Sequence, residues 1–118
     1  MLNQQTQLDR MFHALADANR RAMIDQLSQS SRSVSELAEP LGISLPATMQ
    51  HLSILEEAGL VNTRKIGRTR SCTLDTGELS KAEQWINQRR SFWNDRLDAL
   101  GEFLAASTLE DSKKDQTK

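Results

Sequence analysis

Between Ser33 and Gly67 the chain carries a run of local signals that leaves its backbone little choice of path. Ser33 with Glu36 three residues later forms a capping box, in which the serine hydroxyl serves a free amide of the first turn and the glutamate reaches back. The helix so started is expected to end near Leu41, because Pro40 has no N–H to extend the ladder and Gly42 supplies a turn. Ser44 caps the next helix, Pro46 sits in the first turn where a missing N–H is harmless, and Gly59 stops the helix after Ala58. The segments Leu60 to Ile66 and Thr69 to Leu74 then alternate β-branched with polar or charged residues on either side of Gly67-Arg68, which predicts a hairpin.

The flanking segments read as helices. Leu8, Met11, Phe12 and Leu15 recur at helical spacing, and Asp17 stands as the N-cap of a second helix carrying Ala22, Met23, Ile24 and Leu27. The polar run Ser28 to Ser33 reads as a loop. A long helix is expected from about Gly77, in which Leu79, Ile86, Trp93 and Leu100 stand seven apart, Ala82, Leu97 and Leu104 extend the stripe, and Trp85, Phe92 and Ala99 lie beside it. Such a helix is apolar over more of its circumference than a small monomer covers, so it calls for a partner surface. Arg89 and Arg90 interrupt the stripe and are expected to pair with Glu83 and Asp95. From Ser107 to Lys118 the chain is polar, and a disordered tail is expected there.

The expected architecture is therefore one mainly α domain over residues 1–106, about five helices plus a small two-stranded β-hairpin, followed by a polar tail over 107–118. Composition agrees, since hydrophobic residues make up 37% and aromatics only 4%, leaving an apolar content dominated by helix-forming types. One cysteine excludes an intrachain disulfide framework and suits a reducing compartment. The first ten residues lack an apolar signal core, and no apolar run approaches the ~18–20 residues that span a bilayer, so a cytoplasmic location is expected.

Charge distinguishes the hairpin from the rest of the chain. Four of the seven residues from Arg64 to Arg70 are cationic (Arg64, Lys65, Arg68, Arg70), and no acid falls between Asn62 and Thr73. A net charge of −1 thus conceals a local +4 against −5 elsewhere. Screening confines each field to about 10 Å at moderate salt, so an acidic average is no bar to binding phosphates.

Two capped helices across a tight turn, followed by a basic hairpin, make a helix-turn-helix with a wing, a layout suited to double-stranded DNA. On the second helix Thr48, Leu52 and Leu55 share one face and are expected to pack inward. Ala47, Met49, Gln50 and His51 then lie on or near the outward arc as candidate base readers. Glutamine is suited to paired hydrogen bonds with adenine, and alanine or methionine to the thymine methyl. Ser44, Ser53, Arg64, Lys65, Arg68 and Arg70 are candidate contacts to the DNA backbone, with Arg68 at the hairpin tip placed to enter a minor groove. Leu8, Met11, Phe12, Leu15, Trp85, Ile86, Phe92, Trp93, Leu97, Leu100 and Leu104 are expected to form a homodimer interface.

Cys72, His13 and His51 are too scattered to make a metal site within one chain, and no nucleophile–base pair or phosphate loop is present. No catalysis, metal or cofactor is expected. Cys72 lies beside Arg70, whose charge favours the thiolate, which leaves open a redox- or metal-responsive regulator using Cys72. A winged-helix module that docks protein partners through its last helix is the other alternative.

The segments FHALADANRRAMIDQL, VSELAEPLGISLPATMQHLSILEEAGLV and RKIGRTRSCTL resemble the ArsR/SmtB family of bacterial winged-helix repressors, over Leu8 to about Leu104. The resemblance implies a homodimer built through the first and last helices, with two recognition helices in successive major grooves of an inverted repeat. Metal sensors of that family carry Cys-x-Cys where this chain has Ser33 and Ser35, or carboxylate and His ligands on the last helix, whereas Glu78 to Ser107 here holds no His and no Cys. The chain is closer to the branch with Met-Gln-His in the recognition helix and a Trp-rich last helix. Ala18 stands where proline is usual after the capping Asp.

Overall fold

The structure is a computed structural model that describes residues 4–116, with side chains described over 6–108. Its elements run α1 (Gln4–Leu15), α2 (Ala18–Gln29), β1 (Arg32–Ser33), α3 (Val34–Leu41), α4 (Leu45–Glu57), β2 (Val61–Ile66), β3 (Thr69–Leu74) and α5 (Thr76–Gln116). The chain divides into two compact units, one ending at Ala82 and one starting at Glu83.

In the first unit the caps form as their residue types dictate. Asp17 accepts from the Arg20 amide at 3.0 Å to start α2, and Ser33 and Glu36 make the reciprocal capping box of α3. Pro40 is the penultimate residue of α3, so the helix gives up one internal bond and ends a residue later, with Gly42 left-handed at φ 63°. Ser44 caps α4, and Gly59 at φ 78° closes it: the Leu60 amide donates to Leu55 O at 3.0 Å and the Gly59 amide to Glu56 O at 2.9 Å. That pair of bonds is a Schellman motif, which turns the chain sharply and drops Leu60 into the core. The hairpin turns at Gly67, the only one of its two loop residues with positive φ.

The sheet has three strands, not two. β1 pairs with β3 through Arg32↔Cys72 and Ser33↔Ser71, giving the order β1-β3-β2. A two-residue strand has no periodicity of its own, so the segment read as a loop becomes a strand only through its distant partner. Met11, Met23, Leu37, Leu52, Leu55, Leu60 and Val61 form the centre of the core, with Leu8, Leu15 and Leu79 packed at its margin. Burying each large side chain contributes about 1.5–3 kcal/mol.

Met11 is 0% exposed, so it holds α1 against the rest of its own chain and is withdrawn from the expected dimer surface. The helix period places Met11 on the apolar stripe but does not say which neighbour covers it. Ala82, an early member of the stripe on α5, is likewise in the core of the first unit, with Leu79 packed against it.

The second unit is the remainder of α5. Here Ile86, Phe92, Trp93, Leu97, Leu100 and Leu104 stand exposed, as does Phe103, which lies off the sevenfold spacing and escapes a count made on it. Arg89 does not follow its expected pairing with Glu83 or Asp95; its guanidinium lies over the Trp85 ring at 4.4 Å, and Arg96 over Phe92 at 4.6 Å. The helix continues to Gln116, past Ser107, where the polar tail begins. Leu104, Ala105, Ala106 and Leu109 are good helix formers, and no Gly or Pro stops them. Side chains from 109 onward, and the backbone of Thr117 and Lys118, lie outside the described residues.

Candidate nucleic-acid interface

On α4 the helical period separates two faces. Thr48, Leu52 and Leu55 are buried; Thr48 Oγ1 also donates to Ser44 O at 2.8 Å, which satisfies the one polar group on that face. Met49, Gln50 and Ser53 are exposed, and Ala47 is half-buried. Met49, 41% exposed, places a flexible apolar side chain in solvent on the surface of the first unit.

The wing stands beside this arc. Ser33, Ser35, Leu45, Met49, Arg68 and Arg70 all line one open groove, so the start of α3, the start of α4 and the hairpin turn share a single face. Arg64, Lys65, Arg68 and Arg70 are all exposed. A relay ties the wing to the recognition helix: Arg70 Nη1 donates to Thr63 Oγ1 at 3.1 Å, and Thr63 Oγ1 donates to Glu56 Oε1 at 3.0 Å. Arg70 is thus partly held, while Arg68 extends from the turn. Ser44 Oγ accepts from the Ala47 amide at 3.2 Å, so its role as a cap occupies an acceptor lone pair and leaves its hydroxyl proton available.

His51 is placed differently from the expectation. It is half-buried, and its Nδ1 edge faces Arg20 Nη1 at 3.3 Å and Asp17 Oδ2 at 3.8 Å. Arg20 itself, 8% exposed, reaches α4 through His51 and is absent from the residues picked out by the motifs. A signal exists in the sequence, because Arg20 sits on the buried stripe of α2 with Met23, Ile24 and Leu27, where a cation requires dedicated partners.

Cys72 is 0% exposed in the centre of the sheet. Burial pushes its thiol up, and the neighbouring Arg70 lowers it by less, so the reactive thiolate is disfavoured. The charge of Arg70, which adjacency in sequence brings in, is present but is outweighed by burial. Ser33 and Ser35 both line the groove, Ser33 being committed as a cap.

No helix among the described residues is long and apolar enough to cross a membrane.

Comparison with known proteins gives this geometry a lineage. Residues 17–63 match the family of bacterial regulatory proteins, arsR family, a span that covers α2, both helices of the turn motif and the start of the wing. HTH-type transcriptional regulator Rv2034 of Mycobacterium tuberculosis is 35% identical over 96 residues, covering 81% of this chain and 87% of that protein. Transcriptional repressor SdpR of Bacillus subtilis is 28% identical over 79 residues, covering 67% of this chain and 88% of that one. The crystal structure of an ArsR family transcriptional regulator matches with a TM-score of 0.72 at 37% identity, covering 80% of this chain and 97% of that one. The chain therefore belongs to the ArsR family of bacterial regulatory proteins and is a winged helix-turn-helix regulator of transcription, not an enzyme.

Proposed function

We propose that this regulator is a homodimeric repressor that binds an inverted-repeat operator, each chain placing α4 in a major groove and its wing on the adjacent backbone. The observation that carries the reading is the shared face: Met49 of α4 and Arg68 and Arg70 of the wing line one groove, so a duplex seated on the helix meets the cations as well. Gln50, Met49 and Ala47 supply base contacts, while Ser44, Ser53, Arg64, Lys65, Arg68 and Arg70 supply backbone contacts.

Dimerisation is supported by the exposed apolar residues of α5, with Trp93 at 61%, Leu97 at 58% and Phe103 at 67%. A monomer rarely leaves a contiguous apolar surface of that kind in water. Two chains also place two helices and two wings on a two-fold site, with half-sites about one helical turn apart. Repression is supported by the similarity to a repressor, and a dimer seated on a promoter blocks it by occupancy alone. The buried Cys72 argues against peroxide or metal as the direct signal through that residue.

Retention of promoter DNA fragments by the purified chain, titrated with salt, tests the reading. Binding should fall with a slope near −0.9 per neutralised phosphate in log–log form. A chain that retains no DNA at low salt, while docking a protein through α5, would instead be an interaction module.

A further inference from the structure

Arg20 is buried at the joint between α1, α2 and α4, where a cation must have every donor satisfied or destabilise the fold. Two of its donors end α1: Nε donates to Ala14 O at 2.6 Å and Nη2 to His13 O at 3.2 Å. These are carbonyls of the last turn of α1, at the negative end of the helix dipole; His13 O also accepts from the Ala16 amide at 3.1 Å, so Arg20 takes its second lone pair. The remaining contact, Nη1 to His51 Nδ1 at 3.3 Å, crosses to the recognition helix. An arginine only donates, so Nδ1 must accept, which places the imidazole hydrogen on Nε2. Asp17 Oδ2, at 3.8 Å from Nδ1, is beyond hydrogen-bond reach of the ring and is engaged by the Arg20 amide.

The arrangement fixes more than a side chain. Side-chain atoms stand about 5–6 Å from a helix axis, so a roll of about 10° moves the tip of Gln50 by about 1 Å, enough to spoil paired hydrogen bonds to a base. His51 is the recognition-helix residue whose ring is gripped from α2. We propose that Arg20 is a positioning residue for sequence reading: by capping α1 while donating to His51 Nδ1, it holds the His51 ring in one orientation, with the hydrogen of the uncharged ring on Nε2, and sets the roll of α4, and thereby the presentation of Met49 and Gln50. The proposal rests on the DNA-binding reading above, and it moves His51 from base reader to hinge pin.

The test combines a spectroscopic signature with a double-mutant cycle on the full chain. Nitrogen-15 spectra of the imidazoles, taken at a pH well above the ordinary imidazole range so that only tautomers are compared, should show His51 carrying its hydrogen at Nε2 alone, and Arg20→Gln should abolish that single form. With DNA selected from a random pool, His51→Phe should lose about tenfold in affinity, the scale of one charge-assisted hydrogen bond, while random DNA changes by less than about twofold. His51→Gln, which restores an acceptor, should recover most of the loss. The Arg20→Gln/His51→Phe double variant should lose no more than the worse single change, as coupled residues do. Should Arg20→Gln fail to fold, the wild-type spectrum and the His51 pair decide the matter. A His51 protonated at Nδ1, equal losses on selected and random DNA, or additive losses in the cycle would overturn the proposal. A wild-type chain that retains no DNA at low salt removes the DNA-binding reading and this proposal together; normal wild-type binding with the wrong tautomer removes this proposal alone.

Discussion

Gln50 and Asp17 show how far a single residue type can be read. Gln50 is exposed on α4 and is suited to adenine, so Gln50→Ala should weaken binding to selected DNA by about 1–3 kcal/mol and leave random DNA nearly unchanged. Competition binding on the two DNAs checks this, and equal losses on both would remove Gln50 from base reading. Asp17 is held below its ordinary value chiefly by the Arg20 amide bond, with the Arg20 and His51 charges adding to the effect. A depressed carboxyl contributes stability above its unfolded value and loses it as pH falls through the folded one. Thermal melts should therefore show Asp17→Asn, which also caps but carries no charge, melting somewhat below the wild type near neutrality, with the difference shrinking below about pH 4 as the wild type loses its carboxylate; a difference that does not change with pH would contradict this. Asp17 as a cap is legible in sequence because capping is local. The grip of Arg20 on His51 is not, because helical spacing names the face of a residue but not the neighbour that covers it.

The elements follow from their punctuation more than from their interiors. Gly42 is left-handed at φ 63°, and nothing lies within 4 Å of the place an added methyl group would take, so Gly42→Ala meets strain but no clash. It should cost about 1 kcal/mol, and Gly42→Asn less, both read as shifts in denaturant midpoint. The wing behaves differently, since its value lies in charge. Arg68→Ala should weaken selected and random DNA alike and reduce the salt slope by about 0.9; an unchanged slope would detach the tip from the phosphate backbone. Both helices of the turn motif and both hairpin strands are legible in the caps and in Gly42, Gly59 and Gly67, each a local requirement of the chain. β1 is not, because Arg32 and Ser33 become a strand only by pairing with Cys72 and Ser71, far along the sequence.

At the scale of the molecule, one apolar pattern serves two purposes. Met11, Leu79 and Ala82 close the core of the first unit, while Trp93, Leu97, Leu100 and Leu104 remain exposed for a second chain. A stripe counted in sevens cannot reveal where the first purpose ends and the second begins, which is why spacing alone puts Met11 on the interface. Leu97→Glu should consequently yield a monomer by sedimentation, with the helical content and core of the first unit retained; an unchanged dimer would place the interface elsewhere. Because the two-fold site needs two chains, the central claim of a dimer reading DNA through α4 and the wing is tested most directly by selecting bound sequences from random DNA with the purified chain. An inverted repeat with half-sites about one helical turn apart should be enriched. Recovery of an unpaired single site, or of no enriched sequence at all, would contradict the claim.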